Sequence, residues 1–164
     1  MTFYLKLFGG LLLLVGALLI SQEYSAYCKR RILEYDGFIA LLLHAESKIS
    51  KYLASGEGLW RDFENDALLK CGFLECIKSG DTPLSAFRKC EGRLNLSKSA
   101  KDKLRALFSV LGGEYREGEI SRLSSFREEL LAERNAEEDR LMKSVKVTRA
   151  LLVSSALAVI IIFI

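Results

Sequence analysis

The sequence predicts an all-α protein: a helical-bundle cytoplasmic domain held between an N-terminal and a C-terminal transmembrane helix. Three observations predict it. The long apolar runs stand at the two ends of the chain, and basic residues flank each run on its inner side. Between them stands a single proline, Pro83, and a chain this poor in proline can be helical almost throughout. Of the 164 residues, roughly 120 remain outside the two runs, enough for one domain.

The first span is expected over residues 3–22. Its core, Leu7 to Ile20, reads LFGGLLLLVGALLI. A spanning helix needs about 20 apolar residues. Lys6 can snorkel to the outer interface, which adds Phe3, Tyr4 and Leu5. A cleaved signal peptide is the competing reading. The nearest cleavage-like stretch, Ser25-Ala26-Tyr27-Cys28, places bulky Tyr27 where a small residue is wanted, and the same tyrosine spoils Cys28 as a lipidated residue. The last span is expected over 147–164, where Val147 and Thr148 lengthen ALLVSSALAVIIIFI. A buried core helix is its competing reading; a run rich in Ile and Val behind a basic collar fits lipid better. Lys29, Arg30 and Arg31 follow the first run, and Arg140, Lys143, Lys146 and Arg149 precede the last. Cations favour the cytoplasmic side. These residues therefore set a topology with both termini outside and a cytoplasmic domain over 25–140.

Within that domain, the apolar residues from Ser25 to Leu53 recur at helical spacing. Ile32, Tyr35, Ile39, Leu42, Ile49 and Leu53 form one stripe, broadened by Phe38, Leu41 and Ala45. This helix should continue from the first span and stop at Ser55-Gly56-Glu57-Gly58. A second helix is expected from about Leu59, carrying Trp60, Phe63, Leu68 and Leu69. Gly72 should bend or divide it before Phe73–Lys78. In Ser79-Gly80-Asp81-Thr82-Pro83-Leu84, Gly80 closes one helix, Asp81 or Thr82 caps the next, and Pro83 fits its first turn. That helix carries Leu84, Phe87 and Cys90 and ends near Gly92. Ser97 or Ser99 caps another, which buries Leu104, Leu107, Phe108 and Leu111 and stops at Gly112-Gly113. The triplet Ser55 to Glu57 echoes Ser79 to Asp81, and we read both as the same helix-turn-helix punctuation.

The last helix should begin near Glu119 and run unbroken to the membrane. Ile120, Leu123, Phe126, Leu130 and Leu131 give it an apolar face. The stretch ERNAEEDR, from Glu133 to Arg140, keeps no such face. A helix polar all round is an exposed stalk or docks a partner. Its acids Glu133, Glu137, Glu138 and Asp139 are candidates to dock a basic partner. Inside the spans, Gly9 and Gly16 share one helix face, and Ala150, Ser154 and Ala158 another. Small residues so spaced allow close helix packing, of the spans on each other or on neighbouring subunits.

Catalytic chemistry is not suggested. A net charge of +3 is too slight to indicate nucleic acid. Cys28, Cys71, Cys76, Cys90 and His44 make no metal-site spacing, and Cys71-x4-Cys76 is not the C-x-x-C pair of zinc or redox sites. The thiols are expected as reduced core residues, and His44 as a structural or surface residue. His44 and Glu46, the nearest polar pair to an interface, should point to different sides of their helix. No phosphate-binding loop or nucleophile elbow occurs, so no enzyme and no cofactor is expected. A two-span signalling adaptor is the alternative, but Glu133 to Arg140 interrupts the heptads it would need.

With these elements placed, the layout resembles the stage III sporulation protein AB family. The corresponding parts are Ala45-Glu46-Ser47-Lys48-Ile49 (with Lys48 where an acid is usual), Leu111-Gly112, the charged helix from Glu119 to Arg140, the collar from Lys143 to Arg149, and the final run from Ala150 to Ile164. The family is similar to the inner-membrane platform (F) protein of type II secretion. Phe73 to Phe87, with Ser79-Gly80, Pro83-Leu84 and Ala86-Phe87, looks like the helix–SG–xPL–xAF step of that protein's cytoplasmic domain. The resemblance implies a membrane scaffold in the channel apparatus between mother cell and forespore. Its implied partners, besides the lipid bilayer, are a cytoplasmic secretion-type ATPase and the ring-forming proteins of the same complex, with no nucleic acid.

Overall fold

The computed structural model describes residues 2–52, 59–60, 62–111 and 116–163, and no strand occurs among them. The helices are α1 (Thr2–Tyr52), α2 (Asp66–Lys70), α3 (Phe73–Lys78), α4 (Pro83–Cys90), α5 (Lys98–Val110) and α6 (Arg116–Phe163). The expected helix stops at Ser55 to Gly58 and at Gly112-Gly113, and the side chain of Leu53, lie outside the described residues. The chain divides into two compact units, residues 30–136 and residues 1–29 with 137–164. Each long helix contributes to both.

The 30–136 unit is a bundle around an aromatic cluster. α1 turns Tyr35, Phe38, Leu41, Leu42, Ala45 and Ile49 inward, as its stripe predicts. Phe38 meets Phe73 and Phe87 edge-on at centroid distances of 5.4 and 5.9 Å, and Phe108 stacks on Phe73 at 5.8 Å. Each such pair adds about 0.5–1.5 kcal/mol beyond the area it buries.

The expected helix from Leu59 is corrected. Leu59, Trp60 and Phe63 are buried, but from a turn in which Phe63 N–H donates to the Trp60 carbonyl. α2 begins only at Asp66, because the Asn65 side chain caps it by accepting from Ala67 and Leu68 N–H. Leu69 faces outward. Gly72 divides α2 from α3 at φ 88°, and Gly80 ends α3 at φ 95°. Both values lie in the left-handed region that glycine enters freely. Thr82 caps α4 with Pro83 in its first turn, and Ser97 caps α5. α6 buries Leu123 and Leu130, with Ile120 and Phe126 partly covered, whereas Leu131, expected on the apolar face, is 39% exposed.

In the other unit, α1 and α6 form an antiparallel pair. Tyr24 and Ser144 share a hydroxyl hydrogen bond of 2.8 Å, and Gly10 lies against Ile160. Ala17, Ser21 and Cys28 are buried on α1, and Leu141 and Ala156 on α6. The α1 positions 10, 17, 21, 24 and 28 follow the 3.5-residue repeat of coiled-coil packing.

Candidate functional site

Two arrangements in the structure bear on function: a polar clasp in the bundle and the outer surface of the helix pair. The clasp starts at Tyr35, on the apolar stripe of α1. Its ring is fully buried and its hydroxyl reaches Ser97 Oγ at 3.1 Å and Glu133 Oε1 at 3.3 Å. Ser97, while capping α5 by accepting from Ala100 N–H, donates its own hydroxyl to Glu133 at 2.6 Å. Lys103 Nζ completes the set at 3.2 Å from Glu133 Oε2. One carboxylate thus ties α1, α5 and α6 together. Burial pushes the Glu133 carboxyl up, but the hydrogen bonds from Ser97 and Lys103 and the charge of Lys103 outweigh it, leaving it below the ordinary range.

Three further side chains of α1, all acids, join it to what packs on it. Glu34 is buried and accepts from Asn95 N–H at 2.6 Å and Asn95 Nδ2 at 2.7 Å. Desolvation raises its carboxyl above the ordinary range despite those bonds. Arg134 grips Asp36 with Nε at 2.9 Å and Nη2 at 3.4 Å. Arg127 donates to Glu46 at 3.0 Å.

Glu133 was expected in an exposed docking face. Its carboxylate is instead turned into the bundle, because Tyr35 and Ser97 give it buried donors. Glu137 and Glu138 are partly exposed and Asp139 is exposed. Glu34, Tyr35 and Ser97 carry no sequence signal for this role, since their partners are 61, 98 and 36 residues away along the chain.

Cys28, Cys71 and Cys90 are buried as expected, whereas Cys76 is only partly covered, and all four are free. Cys71 Sγ donates to the Leu68 carbonyl at 3.2 Å and Cys90 Sγ to the Phe87 carbonyl at 3.4 Å; the neighbouring Cys71 sulfur and burial push Cys90 far up, so Cys90 stays a thiol. His44 packs on Phe63 at 5.4 Å while Glu46 faces Arg127, so the two do point apart. Burial, and then Lys48, hold His44 below its ordinary range and keep it neutral.

The small-residue faces need a correction within this pair. An added Cβ at Gly9 or Gly16 would meet nothing within 4 Å, whereas one at Gly10 would sit 3.0 Å from Ile160 Cγ1. Ala150, Ser154 and Ala158 are exposed. The seam lies one residue over because it continues the repeat through Ser21, Tyr24 and Cys28. Lys29, Arg30, Lys143, Lys146 and Arg149 are exposed and Arg31 is partly so. Among the described residues one helix stretch, 117–161, is long and apolar enough to cross a membrane, and its most apolar window is almost entirely unburied. No group of three or more His, Cys, Asp or Glu side chains able to hold a metal occurs among them.

A family model described as stage III sporulation protein AB matches residues 78–164, more than half of the chain. The matched part includes Thr82-Pro83-Leu84, the clasp residues Ser97 and Glu133, the collar and the final apolar run; residues 45–49 lie outside it. No curated protein and no solved structure matches the chain.

Proposed function

The chain belongs to the stage III sporulation protein AB family, so its role lies in stage III of sporulation, and from that premise we propose that it is a non-enzymatic membrane scaffold of the channel apparatus between mother cell and forespore. In this reading it crosses the mother-cell membrane twice and holds the 30–136 bundle in the cytoplasm, with both termini outside. The observation that supports it best is the inverted surface of the helix pair. Leu12, Leu13, Leu19 and Ile20 of α1 and Leu151, Leu157 and Ile161 of α6 all face outward, Ile161 being 78% exposed. Large aliphatic side chains covering the outside of both helices are at home in lipid, not water. The polar clasp suits a scaffold too, since it fixes helices to one another. The bundle then offers surfaces to a cytoplasmic secretion-type ATPase and to ring-forming proteins, and Glu137, Glu138 and Asp139, which follow it on α6, offer an acidic contact for a basic partner.

Deletion of the gene, scored by membrane-stain microscopy of starved cells, tests this reading. Arrest after engulfment with small or collapsed forespores is expected, reversed by the intact gene. Engulfed forespores that go on to mature normally would remove the channel role.

A further inference from the structure

We propose that the exposed collar of the helix pair binds the phosphates of anionic phospholipids and gathers them around the protein. The inference rests on reading that pair as membrane spans. Arg140, Lys143, Lys146 and Arg149 succeed one another at intervals of three residues, and all four are exposed. Each interval turns the side chain by about 60° around the helix and raises it by about 4.5 Å. The four cations therefore fan over half of the circumference of α6 and climb about 13 Å. The other half is the seam, marked by buried Leu141 and by Ser144 on Tyr24.

A fan differs from a stripe in what it can hold. A stripe of cations along one line fits a single polyanion such as an acidic helix. Cations pointing in separate directions at successive depths suit separate anions spaced around a cylinder, as lipid headgroups are. Two features of α1 sit at the same level. Counting from the Tyr24–Ser144 bond along the antiparallel course, exposed Lys29 comes at about the height of Asp139 and Arg140, and exposed Tyr27 at about the height of Leu141. Tyrosine favours the headgroup zone. Beyond Arg149 the large outward residues, Leu151, Leu157, Val159 and Ile161, are all aliphatic, and the exposed polar residues among them are Ser154 and Ser155. The cations thus stand at the edge of an apolar belt, where lipid phosphates lie, and Lys and Arg near an anionic surface each strengthen binding by about fivefold.

The test uses the full-length protein in phosphatidylcholine vesicles carrying spin-labelled phosphatidylglycerol or spin-labelled phosphatidylcholine. Electron paramagnetic resonance reads which label the protein immobilises. Averaged over the surrounding lipids, a preference for phosphatidylglycerol of about two- to threefold is expected, weakening with salt. The combined variant Arg140→Gln, Lys143→Gln, Lys146→Gln, Arg149→Gln should bring it to unity. Lys70→Gln with Lys98→Gln should not alter it. Arg140→Lys with Arg149→Lys, which keeps the charge and guards against misfolding, should also preserve it. A preference that survives the fourfold variant overturns the proposal, as does displacement by inorganic phosphate, which would assign the collar to a soluble anion. Wild-type protein that resists alkaline extraction yet shows no preference overturns it while leaving the membrane reading standing. Release by alkaline extraction overturns both.

Discussion

Gly37 stands in the middle of α1, where glycine costs about 1 kcal/mol relative to alanine. An added Cβ there would lie 2.9 Å from Asn65 Oδ1 and 3.1 Å from Leu68 Cγ. The missing side chain is what lets the cap of α2 close against α1. Gly37→Ala should therefore lower the stability of the detergent-solubilised protein by about 1–3 kcal/mol, despite its better helix propensity. A raised unfolding midpoint would show that Asn65 and Leu68 yield freely. Glu133 makes a prediction about acid. Its folded carboxyl is lowered, so the stability it adds is present above the unfolded carboxylate pKa and is lost as pH falls through the folded one. Glu133→Gln should thus be less stable than wild type at neutral pH, and the two denaturation midpoints should converge in acid. A gap that stays constant with pH would refute the ionic role. Glu34 has the opposite sign: its carboxyl is raised, so its contribution weakens as pH rises through the folded value. Single variants separate the two.

Among the helices, the two capping residues α4 and α5 depend on should not be equal. Thr82 Oγ1 accepts one bond, from Ser85 N–H at 3.3 Å, on an exposed end. Thr82→Ala should cost about 1 kcal/mol. Ser97 caps α5 and also donates to Glu133 beneath the Tyr35 hydroxyl. Ser97→Ala should cost more, about 2–3 kcal/mol, because it leaves half-buried polar groups without their partner. Chemical denaturation of both variants side by side checks the order, and equal losses would mean the clasp adds nothing to the cap. The same contrast explains what the sequence disclosed. The step from Gly80 through Thr82 to Pro83 is chemistry among neighbours, and α3 and α4 fall where it predicts. The start at Leu59 is misread because Trp60 and Phe63 keep helical spacing while their burial is imposed by residues far along the chain. Glu34 and Glu133 look like solvated charges for the same reason, their partners lying 61 and 36 residues away.

For the whole molecule, the all-α class is legible because apolar period and glycine placement repeat over long stretches. The packing seam between α1 and α6 is not, since a shift of one residue, from Gly9 to Gly10, leaves composition unchanged yet turns the face by about 100°. The two-span topology predicts opposite outcomes for one reporter. An enzyme active only outside the membrane should work when fused after Ile164 and fail when fused after Val110. Activity at both points would leave the bundle outside. Time of synthesis adds a consequence of the clasp. Tyr35 and Glu133 are separated by 98 residues, which a ribosome takes on the order of 5–20 s to make. Until then the nascent α1 carries an Asp36 carboxylate whose Arg134 partner is not yet made, and a Tyr35 hydroxyl that has only Ser97 to receive it. The chain is open to proteases and to wrong pairings for that interval, and the helix made last is the one that ends it.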